Sequence, residues 1–188
     1  MMNADKKTAR ISGLWYLAIA IFYSFSMIYV DSVFLVSGNI EATVNNIQSS
    51  PILFKLGFVS CLAGHICFLF LVNALYKLLH SINRDWARLM VIFVVAGVSV
   101  ALLNRLNQAA VLLLLDSGNS LSTLTTIQLH AMVLFLLEVH HQGEMMAVLF
   151  WGLWLLPLGL LIFKSGFIPR IIGILLICAC VCYLIDFF

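Results

Sequence analysis

The sequence predicts an all-α fold: a polytopic transmembrane bundle of five spanning helices with one short helix on the outer side. Three observations carry that expectation. Of 188 residues, 63% are apolar and only 10% are charged, against about 25% charged in soluble domains. Mean hydropathy is +1.10. Several continuous apolar runs exceed the roughly 20 residues that a helix needs to cross the hydrocarbon. Their continuity, in place of strict alternation, argues against a β-barrel. A net charge of +2 offers no surface for nucleic acid. One transmembrane domain over residues 1–188 is expected, with the lipid bilayer as its first partner.

The first run, Ile11 to about Val36, follows a basic segment holding Lys6, Lys7 and Arg10. It is too long for the core of a signal peptide and lacks a small-x-small cleavage site after it, so it reads as a spanning helix. Ser37 to Ser50 is polar, without Lys or Arg, and reads as an external loop. Ser50-Pro51 offers a cap followed by proline at the first helical position. The second helix runs from there to about Leu79, with Ser60 and Gly64 as a small-xxx-small pair for close contact. His80 to Arg88 is a polar turn. The third helix is expected from about Ala87 to Leu115, with Gly97 and Ala101 repeating the small-residue spacing.

Asp116 to Gln128 is a second polar stretch without Lys or Arg. The segment Leu121 to His140 starts polar, with Ser122, Thr123, Thr125, Thr126, Gln128 and His130. Its apolar part, Ala131 to Leu137, is too short to span. It is expected to form the short helix that lies on, or dips into, the outer side. Met145 to Phe163 is long enough to cross, with Gly152 and Gly159 on one face and Gly166 as its C-terminal cap. Pro169-Arg170 opens the last helix.

Basic residues cluster at the N-terminus, after the second helix, and at Lys164 to Arg170. The positive-inside rule places all three in the cytoplasm. An even number of crossings then separates the second cluster from the third, which gives five spans, N-terminus inside and C-terminus outside. Lys55 is left near the outer face. A six-span alternative has residues 121–140 cross and puts Lys164 and Arg170 outside.

Polar residues concentrate toward the outer ends. Asn104, Arg105, Asn107 and Gln108 are denser than a lipid-facing helix permits. An arginine in hydrocarbon costs roughly 2.5–3.5 kcal/mol on insertion scales, so it must be paired or face water. Asp31, Glu138 and Asp186 are the candidate partners. The cluster either fixes the bundle by interhelical hydrogen bonds or walls a polar cavity open to the outside. Asn104, Arg105, Asn107, Gln108, Asp31 and His65 are accordingly the candidate ligand-binding residues. His65 reads as a buried histidine bonded to a neighbouring helix, or as a haem ligand with His130 as the partner. Trp151 and Trp154 lie mid-helix, where they pack the core or line a cavity. Cys61, Cys67, Cys178, Cys180 and Cys182 form no C-x-x-C and read as small packing residues.

Glu138, His140, His141 and Glu144 form a polar knot between two apolar runs. Glu138 and His141 are spaced i, i+3, and His140 and Glu144 are spaced i, i+4, so each pair shares a face of a continuous helix. Zinc accepts both ligand types and activates water at an open position. Glu138-x-x-His141 also has the spacing of a di-iron half-site, though no second copy is present. No cofactor is favoured, with zinc or iron as the alternative, and zincin signatures are absent. The bland alternative is a solvated helix end where the chain reverses at Gly143.

Several strings resemble a bacterial family of multi-pass membrane proteins catalogued as domain of unknown function 4386. They are Ala9-Arg10-Ile11-Ser12-Gly13-Leu14, the Asn-containing loop before the second helix, Ser81-Ile82-Asn83-Arg84 and, most specifically, Ser165 to Gly173. Glu138 and His140 match an acidic residue and a histidine that the family often carries before a Gly-Tyr-rich turn. Gln142 and Glu144 stand where that turn usually has tyrosines. The resemblance implies a helical protein of the bacterial inner (cytoplasmic) membrane and brings no activity with it.

The leading functional reading is a non-enzymatic binder of a lipophilic ligand or a partner protein through an outward-facing polar cavity. The alternative is an intramembrane metal-dependent hydrolase acting on a lipid or amide, with His140, His141 and Glu144 as ligands or base and Arg105 on the developing anion. A transporter fits less well, because no inverted repeat or pair of broken helices is visible. No pattern fixes the oligomeric state.

Overall fold

Proline, glycine and asparagine set the boundaries of nearly every helix. The computed structural model describes residues 3–116 and 124–187, with side-chain surroundings from residue 6 onward. The first span combines α1 (Asn3–Tyr23), a π-helical stretch (Ser24–Val30) and α2 (Asp31–Phe34). Then come α3 (Ile40–Ser49), α4 (Pro51–Leu79), α5 (Arg84–Leu115), α6 (Thr126–Leu153), α7 (Leu155–Ser165) and α8 (Arg170–Phe187). No strand occurs among the described residues. Five stretches are long and apolar enough to cross a membrane: Lys6–Phe34, Pro51–Leu79, Arg84–Leu115, Thr126–Ser165 and Arg170–Phe187.

The five-span helical bundle agrees with the sequence expectation, and α4 has the predicted bounds. Pro51 stands in its first turn, but the Ser50 side chain makes no capping bond. Asn83 accepts hydrogen bonds from the backbone N–H groups of Asp85 and Trp86, which starts α5 at Arg84, one turn before the expected Ala87. Gly166 ends α7 in the left-handed conformation at φ 71°, as predicted for a C-terminal glycine.

Two expectations are corrected. Ser37 to Ser50 is not merely a loop, because most of it forms α3. Asn39 caps that helix by accepting from the Ala42 N–H at 3.0 Å. Ile40, Val44 and Ile47 recur at helical spacing, with Val44 and Ile47 buried. Thr43 and Asn46 bind backbone groups at the end of the first span: Thr43 Oγ1 accepts from the Val36 N–H at 3.0 Å, and Asn46 Nδ2 donates to the Val33 carbonyl at 3.2 Å. The second correction concerns Leu121 to His140. Among the described residues no separate short helix occurs there; the short helix beside the five spans is α3. Thr125 and Gln128 form a capping box, and α6 then continues through Gly143, so the chain does not reverse at that residue. Residues 117–123, including Ser122 and Thr123, lie outside the described residues.

The fourth span does break, but at Trp154. Pro157 has no N–H for the Leu153 carbonyl and its ring crowds that carbonyl, so α6 ends at Leu153 and α7 follows at Leu155.

Small residues bring the helices together. A Cβ at Gly64 would lie 2.5 Å from the Tyr23 ring, and one at Gly57 would lie 2.6 Å from Val30 Cγ1, so α4 packs tightly on the first span. Ser60 Oγ donates to the Phe22 carbonyl at 3.0 Å across the same seam. Gly97 receives Phe150 and Trp151. Gly152 and Gly159, the predicted seam, both face α8. Gly159 and Gly173 meet backbone to backbone, each added Cβ falling 2.7–2.8 Å from the other's carbonyl oxygen. The first span packs chiefly along α4, and α8 packs on α6 and α7.

The buried apolar residues form two cores. The larger joins α4, α5 and α7, from Leu79, Ala87 and Leu161 near the basic ends to Phe68, Val98 and Trp154. The smaller, at the opposite end, joins Val30, Phe34, Val44, Ile47, Phe54, Val111 and Val133. Cys61, Cys67 and Cys180 are buried as expected of packing residues, whereas Cys178 and Cys182 are exposed on α8.

The backbone contact gives a sharp test. Gly173→Val in detergent should lower the melting temperature well beyond the effect of Gly13→Val, which meets open space. Overpacking of this kind costs about 1–3 kcal/mol or more. Equal melting of the two variants would contradict the α7–α8 contact.

Candidate functional site

Between the two cores lies a polar layer. Helical rise puts Arg105 about 32 Å along α5 from Arg84, and Glu144 about 32 Å from Ser165. With the basic ends at one membrane surface, both residues reach the far edge of a hydrocarbon layer about 30 Å thick.

Arg105 is 3% exposed. Its Nη2 donates to Glu144 Oε1 at 2.9 Å, and its Nη1 donates to Gln108 Oε1 at 2.8 Å. His140 Nε2 stands 3.4 Å from Nη1. The other ring nitrogen, Nδ1, lies 3.3 Å from the Asn104 carbonyl oxygen, which can only accept. The network therefore assigns the proton to Nδ1 and leaves Nε2 to accept from the guanidinium. Asn104 Nδ2 donates to the His140 carbonyl at 2.8 Å, and Asn107 Nδ2 donates to Asn104 Oδ1 at 3.0 Å. Gly143 explains the approach: a Cβ there would fall inside the Asn104 carboxamide. The glycine serves helix contact and not a turn.

The arginine's partner is thus Glu144. Of the expected partners, Glu138 is exposed and accepts from Gln142 at 3.0 Å. Asp186 is exposed, and Asp31 is partly buried; neither makes an ion pair among the described residues. Helical phase decides this outcome. His140 and Glu144 face α5, whereas Glu138 and the exposed His141 turn away. The knot is therefore divided between two faces. Among the described residues, no three His, Cys, Asp or Glu side chains converge as a metal site. Asn104, Arg105 and Gln108 are buried.

His65 is 2% exposed. Its Nδ1 donates to the Cys61 carbonyl at 2.8 Å, so its bond is to its own helix and not to a neighbour. Tyr23 meets the ring edge-on at 5.3 Å, and Trp151 lies 6.2 Å away. His130 is twenty-one residues before Trp151 on α6, or about 31 Å along that helix. The two histidines cannot share a haem.

Around His65 the structure forms a cavity of ≈ 420 Å³ that sequence reasoning anticipated only through Trp151 and Trp154. Phe68, Leu71, Trp151, Trp154 and Leu155 supply apolar walls, and Tyr23, His65 and Glu144 supply the polar ones. The Tyr23 hydroxyl is buried without a hydrogen-bond partner. Tyr16, Met27 and Tyr183 line the same cavity and are exposed. They belong to the first and last spans, so the cavity opens sideways between those spans. Among the candidate ligand-binding residues, only His65 lines it. A second cavity of ≈ 430 Å³, lined by Gln48, Lys55 and Asp116 among others, lies at the α3 end and includes none of them.

The Gly143–Asn104 contact can be tested as a pair. Gly143→Ala should displace the carboxamide and cost about 1–3 kcal/mol through the lost Asn104–His140 bond. Combining it with Asn104→Ala should cost clearly less than the sum of the single changes, read by thermal unfolding. Additive losses would contradict the contact.

No curated protein and no solved structure matches the chain. A family model described as domain of unknown function DUF4386 matches residues 11–188. Since the match covers nearly the whole chain, the protein belongs to the DUF4386 family.

Proposed function

We propose that this protein is a non-enzymatic membrane receptor that takes a lipophilic molecule sideways from the bilayer into the cavity between the first and last spans. The whole chain acts as one transmembrane domain. The cavity carries this reading. Its apolar walls match the common composition of ligand sites, and Tyr23 on its wall carries a buried hydroxyl with no partner in the protein. A buried polar group left unpaired costs about 1–3 kcal/mol, which an occupant with a suitable head would recover. The polar layer serves as the roof: Glu144 lines the cavity and holds Arg105 through Oε1. Arg105, Asn104, Asn107 and Gln108 then act as positioning residues that fix Glu144, and do not themselves touch the ligand.

The three basic segments share one end of the five-span bundle, since even numbers of crossings separate them. Positive-inside bias makes that end cytoplasmic in a bacterial inner membrane, so the polar roof faces the outer leaflet.

Two measurements test this. Purified protein should bind a lipophilic fluorophore saturably, and Val148→Trp, which fills the cavity, should weaken binding at least about tenfold at unchanged melting temperature. Absence of saturable binding to wild type would overturn the reading. In intact cells, Asn39→Cys should react with an impermeant maleimide, and Ser81→Cys should react only after permeabilisation. The reverse pattern would invert the orientation.

A further inference from the structure

The cavity's polar end has a definite hydrogen-bonding demand. His65 has spent its only ring proton on the Cys61 carbonyl, so its Nε2 is a bare acceptor. Glu144 Oε1 is engaged by Arg105, and Oε2 remains as a second acceptor. The Tyr23 hydroxyl is a buried donor without a partner, as is Arg105 Nε. The charge of Glu144 is already matched by Arg105, whose guanidinium is enclosed behind it at 3% exposure. An anionic head would meet Glu144 first. A cationic head would compete with an arginine already in place. A head that only accepts, such as an ether or ester, would satisfy Tyr23 and leave the two acceptors bare. A hydroxyl does both: it accepts from Tyr23 and donates to His65 or Glu144.

We propose that the occupant is a neutral lipid headed by a hydroxyl group, with that head between Tyr23, His65 and Glu144 and its apolar body along Phe68, Trp151 and Trp154. This rests on the ligand-binding reading above and adds the chemical class. Sites built to bond a hydroxyl discriminate strongly against analogues that lack it.

The test uses the full chain in detergent with Trp15→Phe and Trp86→Phe, so that emission comes from Trp151 and Trp154. The probes are dibromostearyl alcohol, its methyl ether, dibromostearate in its ionised form and dibromostearylamine, each quenching tryptophan on contact. The alcohol should quench saturably at a mole fraction at least about tenfold below that of the other three. Tyr23→Phe, which keeps the ring against Gly64, should weaken the alcohol and the ether alike, each by at least about threefold, because both accept from the hydroxyl it removes. His65→Leu, which removes an acceptor that only the alcohol can use, should cut the preference for alcohol over ether to less than about threefold; if it does not fold, the Tyr23→Phe result decides. Equal or tighter binding of the ether, acid or amine would overturn the hydroxyl assignment and leave the receptor reading standing. Unchanged alcohol binding in Tyr23→Phe would also overturn it. No saturable quenching by any probe would remove both.

Discussion

A guanidinium that cannot shed its charge must be satisfied where α5 reaches the far edge of the hydrocarbon, and much of the bundle is arranged around that requirement. Arg105 takes Glu144 and His140 from α6 and Gln108 from its own helix. These bonds fix the rotation and height of α6 against α5. Asn104 and Gly143 then lock the same register through a backbone carbonyl. Breaking a buried pair by removing one partner costs about 3–5 kcal/mol, more than the pair itself contributes, because the remaining charge is stranded. The arrangement is therefore a constraint on register before it is a source of stability.

The helices and their number were legible in the sequence because apolar run length and basic-residue parity are one-dimensional properties. Pro51 and Gly166 marked their helix ends by backbone chemistry alone. Two local signals were also present and outweighed by composition. Asn39 with Ile40, Val44 and Ile47 spells a capped amphipathic helix inside a polar stretch. Thr125 and Gln128 spell the start of a helix whose polar first turns looked like a break. The partner of Arg105 was not legible in the same way. Asp31, Glu138 and Asp186 lie at suitable depth, but which carboxylate faces α5 depends on helix rotation, and rotation is set by contacts between distant segments. His140 and Glu144 were visible as a pair on one face, and only the approach of α5 showed what that face meets.

Glycine and aromatic residues divide the work of filling the bundle. Where two helices must touch, a glycine receives a neighbouring side chain: Gly64 takes Tyr23, Gly97 takes Phe150 and Trp151, and Gly152 takes Tyr183. Of these rings, Tyr23 and Trp151 lie beside His65. Phe68 stacks on Trp151 at 5.2 Å and meets Trp154 edge-on at 5.0 Å. The cavity thus occupies the region that the first and last spans leave open, and its aromatic walls follow from the small residues that position them.

The fourth span, at forty residues, has a length of about 60 Å, twice the thickness of the hydrocarbon layer. One end is held by the basic turn at Lys164 to Arg170, so the Thr126 end must stand proud of the apolar layer or tilt. That end exposes Ile127, Leu134 and Phe135 at 82%, 53% and 67%, surfaces that water disfavours and that lipid tails would cover. A thicker bilayer would submerge them and draw the Arg105–Glu144 layer below the headgroups, whereas a thinner one would leave both wet. Hydrophobic mismatch of this kind costs fractions of a kcal/mol per Å. The long helix therefore acts as a depth gauge, tying the hydration of the cavity roof to the thickness of the membrane around it.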